Sequence, residues 1–168
     1  MELVHLRKDW VRLQILSRKI SKRHMNEKGL ETLKIEYFRY MTLYYIHEKM
    51  TLDAAKAFLT MYDTMAALEG EWTDETKKMD SFNNFVIFLL LSKHEKEKQE
   101  LLKVVKDKYA REFEKSEKLQ KYVDNLMGWE LFNINEQELK SELSYMGPFS
   151  PQFENNVENL ENFTKQLI

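Results

Sequence analysis

Residues 30–64, LETLKIEYFRYMTLYYIHEKMTLDAAKAFLTMYDT, decide the fold. From Leu30 to about Glu48, Leu33, Tyr37, Tyr40, Met41, Tyr44 and Tyr45 recur at helical spacing on more than one side of the segment. A helix apolar that far around lies between two neighbours. Thr51 is placed to cap a following helix, which carries Leu52, Ala55, Phe58, Leu59 and Tyr62. Its small residues Ala54, Ala55 and Ala57 permit close helix approach.

The pattern extends in both directions. Towards the N-terminus, Asn26 to Gly29 reads as a turn, and Asp9 caps a helix that starts at Trp10. Leu13, Leu16 and Ile20 form its stripe, widened by Val11 and Ile15, and Arg12, Lys19, Lys22 and Arg23 take much of the other side. Towards the C-terminus, Met65 to Thr73 reads as a loop, with Thr73 as the next cap. A helix then runs through Met79, Phe82, Phe85, Val86 and Leu89. Its end, Phe85 to Leu91, is apolar all round, so it should be the most buried part of the chain. That run is far short of the ~20 residues a bilayer span needs. Leu101, Leu102, Val104 and Val105, then Leu119, Tyr122, Val123 and Leu126, continue the amphipathic pattern until Gly128 breaks it. Asn135 with Glu138 makes a capping box for a short helix to about Tyr145. Ser150-Pro151 starts a last helix with Phe153, Val157, Leu160, Phe163 and Leu167 on one stripe.

Only 4 glycines and 2 prolines interrupt 168 residues, which argues for helices joined by short connections. Helix pairs recur roughly every 40 residues, the mark of helical-repeat arrays. The expected fold is all-α: an irregular, TPR-like helix-hairpin solenoid, a right-handed superhelical stack, with a compact helical bundle as the alternative. Residues 1–129 would form the solenoid, and 130–168 C-terminal helices that continue or cap it.

Chemistry is hard to find in this sequence. With no cysteine, disulfides, zinc thiolates and thiol catalysis are excluded, which fits a reducing compartment. No secretory apolar region follows Met1 to Trp10. The glycines stand singly at 29, 70, 128 and 147, so no phosphate-cradling loop forms. His47-Glu48 and His94-Glu95 each lack a second histidine at helical spacing, and only Glu2-Leu3-Val4-His5 has the Glu-x-x-His form. Carboxylates sit beside Lys or Arg, as in Lys93 to Glu100, and read as solvated helix faces. No catalytic residue, metal ligand or cofactor is expected. A small helical enzyme or metal-binding bundle is the reading these absences oppose.

Charge is more informative. Residues 1–28 hold eight Lys/Arg against three acids, whereas 129–168 hold seven Glu against two Lys. An elongated array would then carry a basic end and an acidic end, suited to complementary docking, with plain solvation as the alternative. Arg12, Arg18, Lys19, Lys22 and Arg23 are the candidate partner contacts. Aromatic residues do not interleave with these bases in a stacking pattern, and the net charge is -2, so neither nucleic acid nor membrane is expected as a partner.

The stretch from Lys8 to Ile20, KDWVRLQILSRKI, resembles the "KDYVRxQIxSxKI" helix of the PCI-family non-ATPase lid subunits of the 26S proteasome. Further motifs follow in order. Leu33 to Phe38 resembles that family's "LKLxYY", His47-Glu48 its "HE", Tyr62-Asp63-Thr64 its "IYDT", and Leu126 to Trp129 its "LMRW" with Gly128 in place of arginine. The resemblance is specific over residues 8–64 and weaker beyond. It implies a solenoid segment without the family's preceding repeats or winged-helix module, as a piece of a longer chain or a reduced homologue. It also implies a non-catalytic scaffold within a hetero-oligomer in cytoplasm and nucleus, acting in ubiquitin-dependent degradation. Other lid subunits would be its partners, with the base or core particle as further candidates. A subunit of a related PCI complex (COP9 signalosome or translation initiation factor three) and a free-standing helical-repeat adaptor are the alternatives.

Overall fold

The computed structural model describes residues 1–21, 23–68, 74–93 and 96–128, and singly 137, 141 and 161. The helices expected beyond Gly128 therefore lie outside the described residues, apart from those three positions. Among the described residues every regular element is helical and none is a strand. The elements are α1 (Glu2–Leu6), α2 (Trp10–Lys19), a 3₁₀ turn (His24–Asn26), α3 (Glu31–His47), α4 (Thr51–Ala67), α5 (Glu75–Leu91), α6 (Lys96–Lys108), α7 (Ala110–Glu114) and α8 (Glu117–Gly128). The chain divides into two compact units, Met1–Phe85 and Val86–Ile168, and the division falls inside α5. The division expected at 129/130 falls where the residues that follow are not described.

In the first unit, the Asp9 carboxylate accepts the Arg12 backbone N–H at 3.0 Å and caps α2 as expected. The inner stripe of α2 is narrower than the periodicity suggests. Leu13 is fully buried, Leu16 is half-buried, and Val11 and Ile15 are exposed. Leu13, Met25, Tyr37, Tyr40, Met41 and Tyr44 make one core cluster, against which Met1, Val4, Trp10, Phe38 and Tyr45 pack. Four of those six buried residues come from α3, which is the central element of the cluster. Its main partner is α4, whose Ala54, Ala55 and Ala57 are all buried. Side chains this small permit two backbones to approach closely.

The turns α1–α2 and α3–α4 have one design. Lys8 (φ 51°) and Lys49 (φ 57°) both adopt the left-handed conformation. The Asp9 N–H reaches back to the Val4 carbonyl at 3.1 Å and the Lys8 N–H to His5 at 2.8 Å. At the second turn, Met50 N–H reaches Tyr45 at 2.8 Å and Lys49 N–H reaches Ile46 at 3.1 Å. Both are Schellman closures, which satisfy the last carbonyls of the first helix. In each, the residue after the left-handed lysine is already the N-cap of the next helix: Asp9 for α2, Met50 for α4. Thr51 is thus the first helical residue of α4 and not its cap.

The cap of α5 is Asp74, one residue past the expected Thr73. Its carboxylate accepts from the backbone N–H groups of Thr76 (3.1 Å) and Lys77 (3.4 Å). These bonds, Lys77's above all, hold the Asp74 carboxyl below its ordinary range. Every side chain from Phe85 to Leu91 is buried, at 7 % exposure or less, so the apolar run behaves as expected.

In the second unit, α6 buries Leu102 and Val105, α7 buries Phe113, and α8 buries Leu119, Tyr122 and Val123. Val104, read as part of the α6 stripe, is exposed. One residue reverses the sequence reading outright. Lys98, assigned to a solvated face, is only 3 % exposed. Its ammonium donates to the carbonyls of Leu90 (2.7 Å) and Ser92 (2.8 Å), while the Ser92 hydroxyl donates to Leu89 at 2.6 Å. The end of α5 is closed by a lysine eight residues on, favourable for a cation at a helix C-terminus. Burial pushes the Lys98 ammonium down to about 8.

Candidate docking face

The exposed side of α2 gathers most of the residues singled out as partner contacts. Successive helical residues turn by about 100°, so Val11, Ile15 and Arg18 fall along one line and Arg12 and Lys19 fall beside it. All five are exposed. Leu13 and Ser17, the buried residues of α2, lie on the opposite side. The helix contains no acidic residue, and its last turn carries Arg18 and Lys19. The Arg12 guanidinium is held by Asp9, Nε to Oδ2 at 3.2 Å. The side chains of Arg18, Lys19 and Arg23 take part in no hydrogen bond or ion pair among the described residues. Arg23 is exposed just before the 3₁₀ turn, and Lys22 lies outside the described residues.

The structure thus brings Arg12, Arg18 and Lys19 together on one helix, and places Arg23 on the following turn. Sequence reasoning missed the two aliphatic residues among them, because Val11 and Ile15 were assigned to the inner stripe. The signal that separates them is the hydroxyl at Ser17: counting Leu13 and Ser17 as the inner line leaves Val11 and Ile15 outside it.

Two further features belong to the first unit. A groove of about 490 Å³ has an apolar lining of Met1, Ile20, Met25, Leu33, Tyr37 and Tyr40, with Glu2, His24 and Glu36 among its polar lining residues. Leu33 is 64 % exposed there, although the periodicity counted it among the apolar residues of α3. An aromatic cluster ties the first helices to α3. His47 stacks on Trp10 (centroids 4.5 Å apart), and His5 meets Trp10 edge-on at 5.7 Å and Tyr40 at 5.8 Å. Of the three histidines weighed as ligands, His5 and His47 are thus packing partners of one indole, and His94 lies outside the described residues. Among the described residues no group of three or more His, Cys, Asp or Glu side chains is arranged to hold a metal ion, and no helix is long and apolar enough to cross a membrane.

Comparison with known proteins places this region. Residues 1–69 match the family model described as PSMD12/CSN4, N-terminal. The chain is similar to the 26S proteasome non-ATPase regulatory subunit 12 of Dictyostelium discoideum, 27% identical over 144 aligned positions, a match that covers 80% of this chain and 30% of that protein. It is similar over its whole length to the 26S proteasome regulatory subunit RPN5 of Saccharomyces cerevisiae, 28% identical over 173 aligned residues, 37% of that protein. A third relative, the 26S proteasome regulatory subunit rpn501 of Schizosaccharomyces pombe, is 26% identical over 102 residues, 61% of this chain and 22% of that protein. The chain spans about a third of the length of the first two relatives. Residues 1–69 contain all of 8–64, the stretch that carries the specific resemblance, and the comparisons support that resemblance to a PCI-family lid subunit.

Proposed function

From this relation to the PCI-family lid subunits of the 26S proteasome, we propose that the chain is a non-catalytic structural segment of the regulatory-particle lid. It acts as a protein-protein scaffold in ubiquitin-dependent degradation, in cytoplasm and nucleus. The observation that carries the reading is the fit of residues 1–69 to the PSMD12/CSN4 N-terminal family. The Schellman-closed helix turns at Lys8 and Lys49 suit a TPR-like stack of hairpins. The exposed cations of α2, without acids on that helix, suit a docking surface for neighbouring lid subunits, and for the base or core particle. The related PCI complexes and the free-standing adaptor are not favoured, because the curated relatives are named as 26S proteasome regulatory subunits.

Co-purification tests the proposal. A tagged copy in native extract should bring down other lid subunits in stoichiometric amounts. Recovery of the tagged chain without them ends the reading.

A further inference from the structure

Val11 and Ile15 are the anomaly of α2. They are 69 % and 48 % exposed, although the helix already meets its core through Leu13. An exposed aliphatic pair that the fold does not use, one turn apart, is shaped to receive something. Valine and isoleucine at i and i+4 form the kind of short ridge that seats between side chains of a second helix. The surroundings restrict what that helix is. Arg12 and Lys19 border the ridge on one side and Arg18 on its own line, and α2 has no acid to answer them. Arg12 is held against Asp9, whereas Arg18 and Lys19 have no partner among the described residues.

Resting on the reading of the chain as an assembly scaffold, we propose that this face is the seat of an acidic amphipathic helix of an assembly partner. That helix packs apolar side chains at i, i+3 or i+4 spacing on Val11 and Ile15, and its flanking Asp or Glu residues pair with Arg18, Lys19 and Arg12. The cations set register and encounter rate, and the ridge supplies the apolar contact. An anionic membrane is a poorer occupant, because this ten-residue helix offers only two aliphatic side chains to the acyl region, far less than an interfacial helix buries. A nucleic acid strand is poorer too, because no aromatic side chain stands among these cations to stack on a base.

The test uses the full chain in three forms: wild type, R18E/K19E and V11S/I15S. Each is used for capture from native extract at about 50 and 300 mM salt. In a fourth form a photo-crosslinking benzoylphenylalanine replaces Ile15, and the cross-linked peptides are sequenced by mass spectrometry. The expected crosslink joins position 15 to a partner segment with apolar residues at helical spacing bordered by Asp or Glu. Both double variants lose that partner at least about tenfold, and capture weakens at the higher salt. All substituted positions are exposed, so circular dichroism and melting should not change. If charge reversal does unfold the chain, R18Q/K19Q replaces it and should weaken capture in the same direction. Undiminished capture by the variants, crosslinks to acid-poor segments or no crosslink at all overturns the inference. So does binding to phosphatidylcholine vesicles with about 20% phosphatidylserine in place of a protein. Lid subunits captured equally by every form would leave the scaffold reading standing and this inference lost. A crosslink of the expected kind to a protein outside the lid would do the reverse.

Discussion

Lys98 holds a charge in a place that desolvation opposes. Below pH 8 the buried ammonium stays protonated and donates to Leu90 and Ser92, but burial makes that state less favourable than in the unfolded chain. Between about 8 and its ordinary value of 10.5, the unfolded chain binds a proton that the folded chain has released. Stability therefore rises with pH across that window. At about 1.4 kcal/mol for each pH unit, the effect of moving from 10.5 to about 8 has a ceiling of roughly 3 kcal/mol. The comparison is urea unfolding of the wild type and Lys98→Met from pH 7 to 10.5. The wild type should gain on the variant as pH rises, and parallel curves would show that Lys98 does not titrate in this range. At the same scale, Leu13 and its neighbours separate core from surface. Leu13→Ala should cost about 3 kcal/mol, the loss of a fully buried leucine. Val11→Ala and Ile15→Ala should each stay within roughly 0.5 kcal/mol, as exposed positions do. Thermal melts of the three variants decide this, and a large loss at Val11 or Ile15 would return them to the core.

At the scale of elements, the two lysine turns share one closure. A left-handed residue after a helix is most often glycine, because a Cβ is strained there. Here Lys8 and Lys49 occupy that position. Lys8→Gly and Lys49→Gly should each stabilise by roughly 0.5–1 kcal/mol, and alanine at either site should not. A loss of stability on introducing glycine would mean that the lysine side chains secure the turns. These turns also show why some of the architecture was legible and some was not. Helix existence followed from apolar spacing, which is why α2, α3, α4 and α5 lie close to where the periodicity puts them. Asp9 was legible as a cap because a carboxylate stood directly before the stripe. The cap of α4 was not, because the closure of α3 makes Met50 the N-cap and uses backbone bonds alone, leaving no side-chain signature. Lys98 was hidden for a different reason. Its neighbours Lys96, Glu97, Gln99 and Glu100 are exposed, and only the tertiary position of the end of α5 singles it out. Of the docking face, the cations were legible as a charge excess. The ridge between them was not, since a sequence period does not say which edge of a wide stripe meets the core.

At the scale of the whole molecule, the two compact units share one continuous helix. Phe85 closes the first unit and Val86 opens the second, and both lie in the buried run of α5. A boundary inside a helix differs from a boundary in a linker, because the helix cannot fray at its middle without losing backbone bonds on both sides. The units should accordingly unfold in one transition. Phe88, only 2 % exposed in the second unit, is the probe. Phe88→Ala should cost about 3–5 kcal/mol, the range for a large buried aromatic. Hydrogen exchange read helix by helix shows where that loss is felt. In a single cooperative system, the slowest amides of α3 and α4 lose protection by the same factor as those of α6 and α8. Loss confined to residues 86–128 would mean that the units open independently and that α5 is a junction between two separately folding pieces. In that case a partner seated on α2 would stabilise only the first unit, and would leave the exchange of α6 and α8 unchanged.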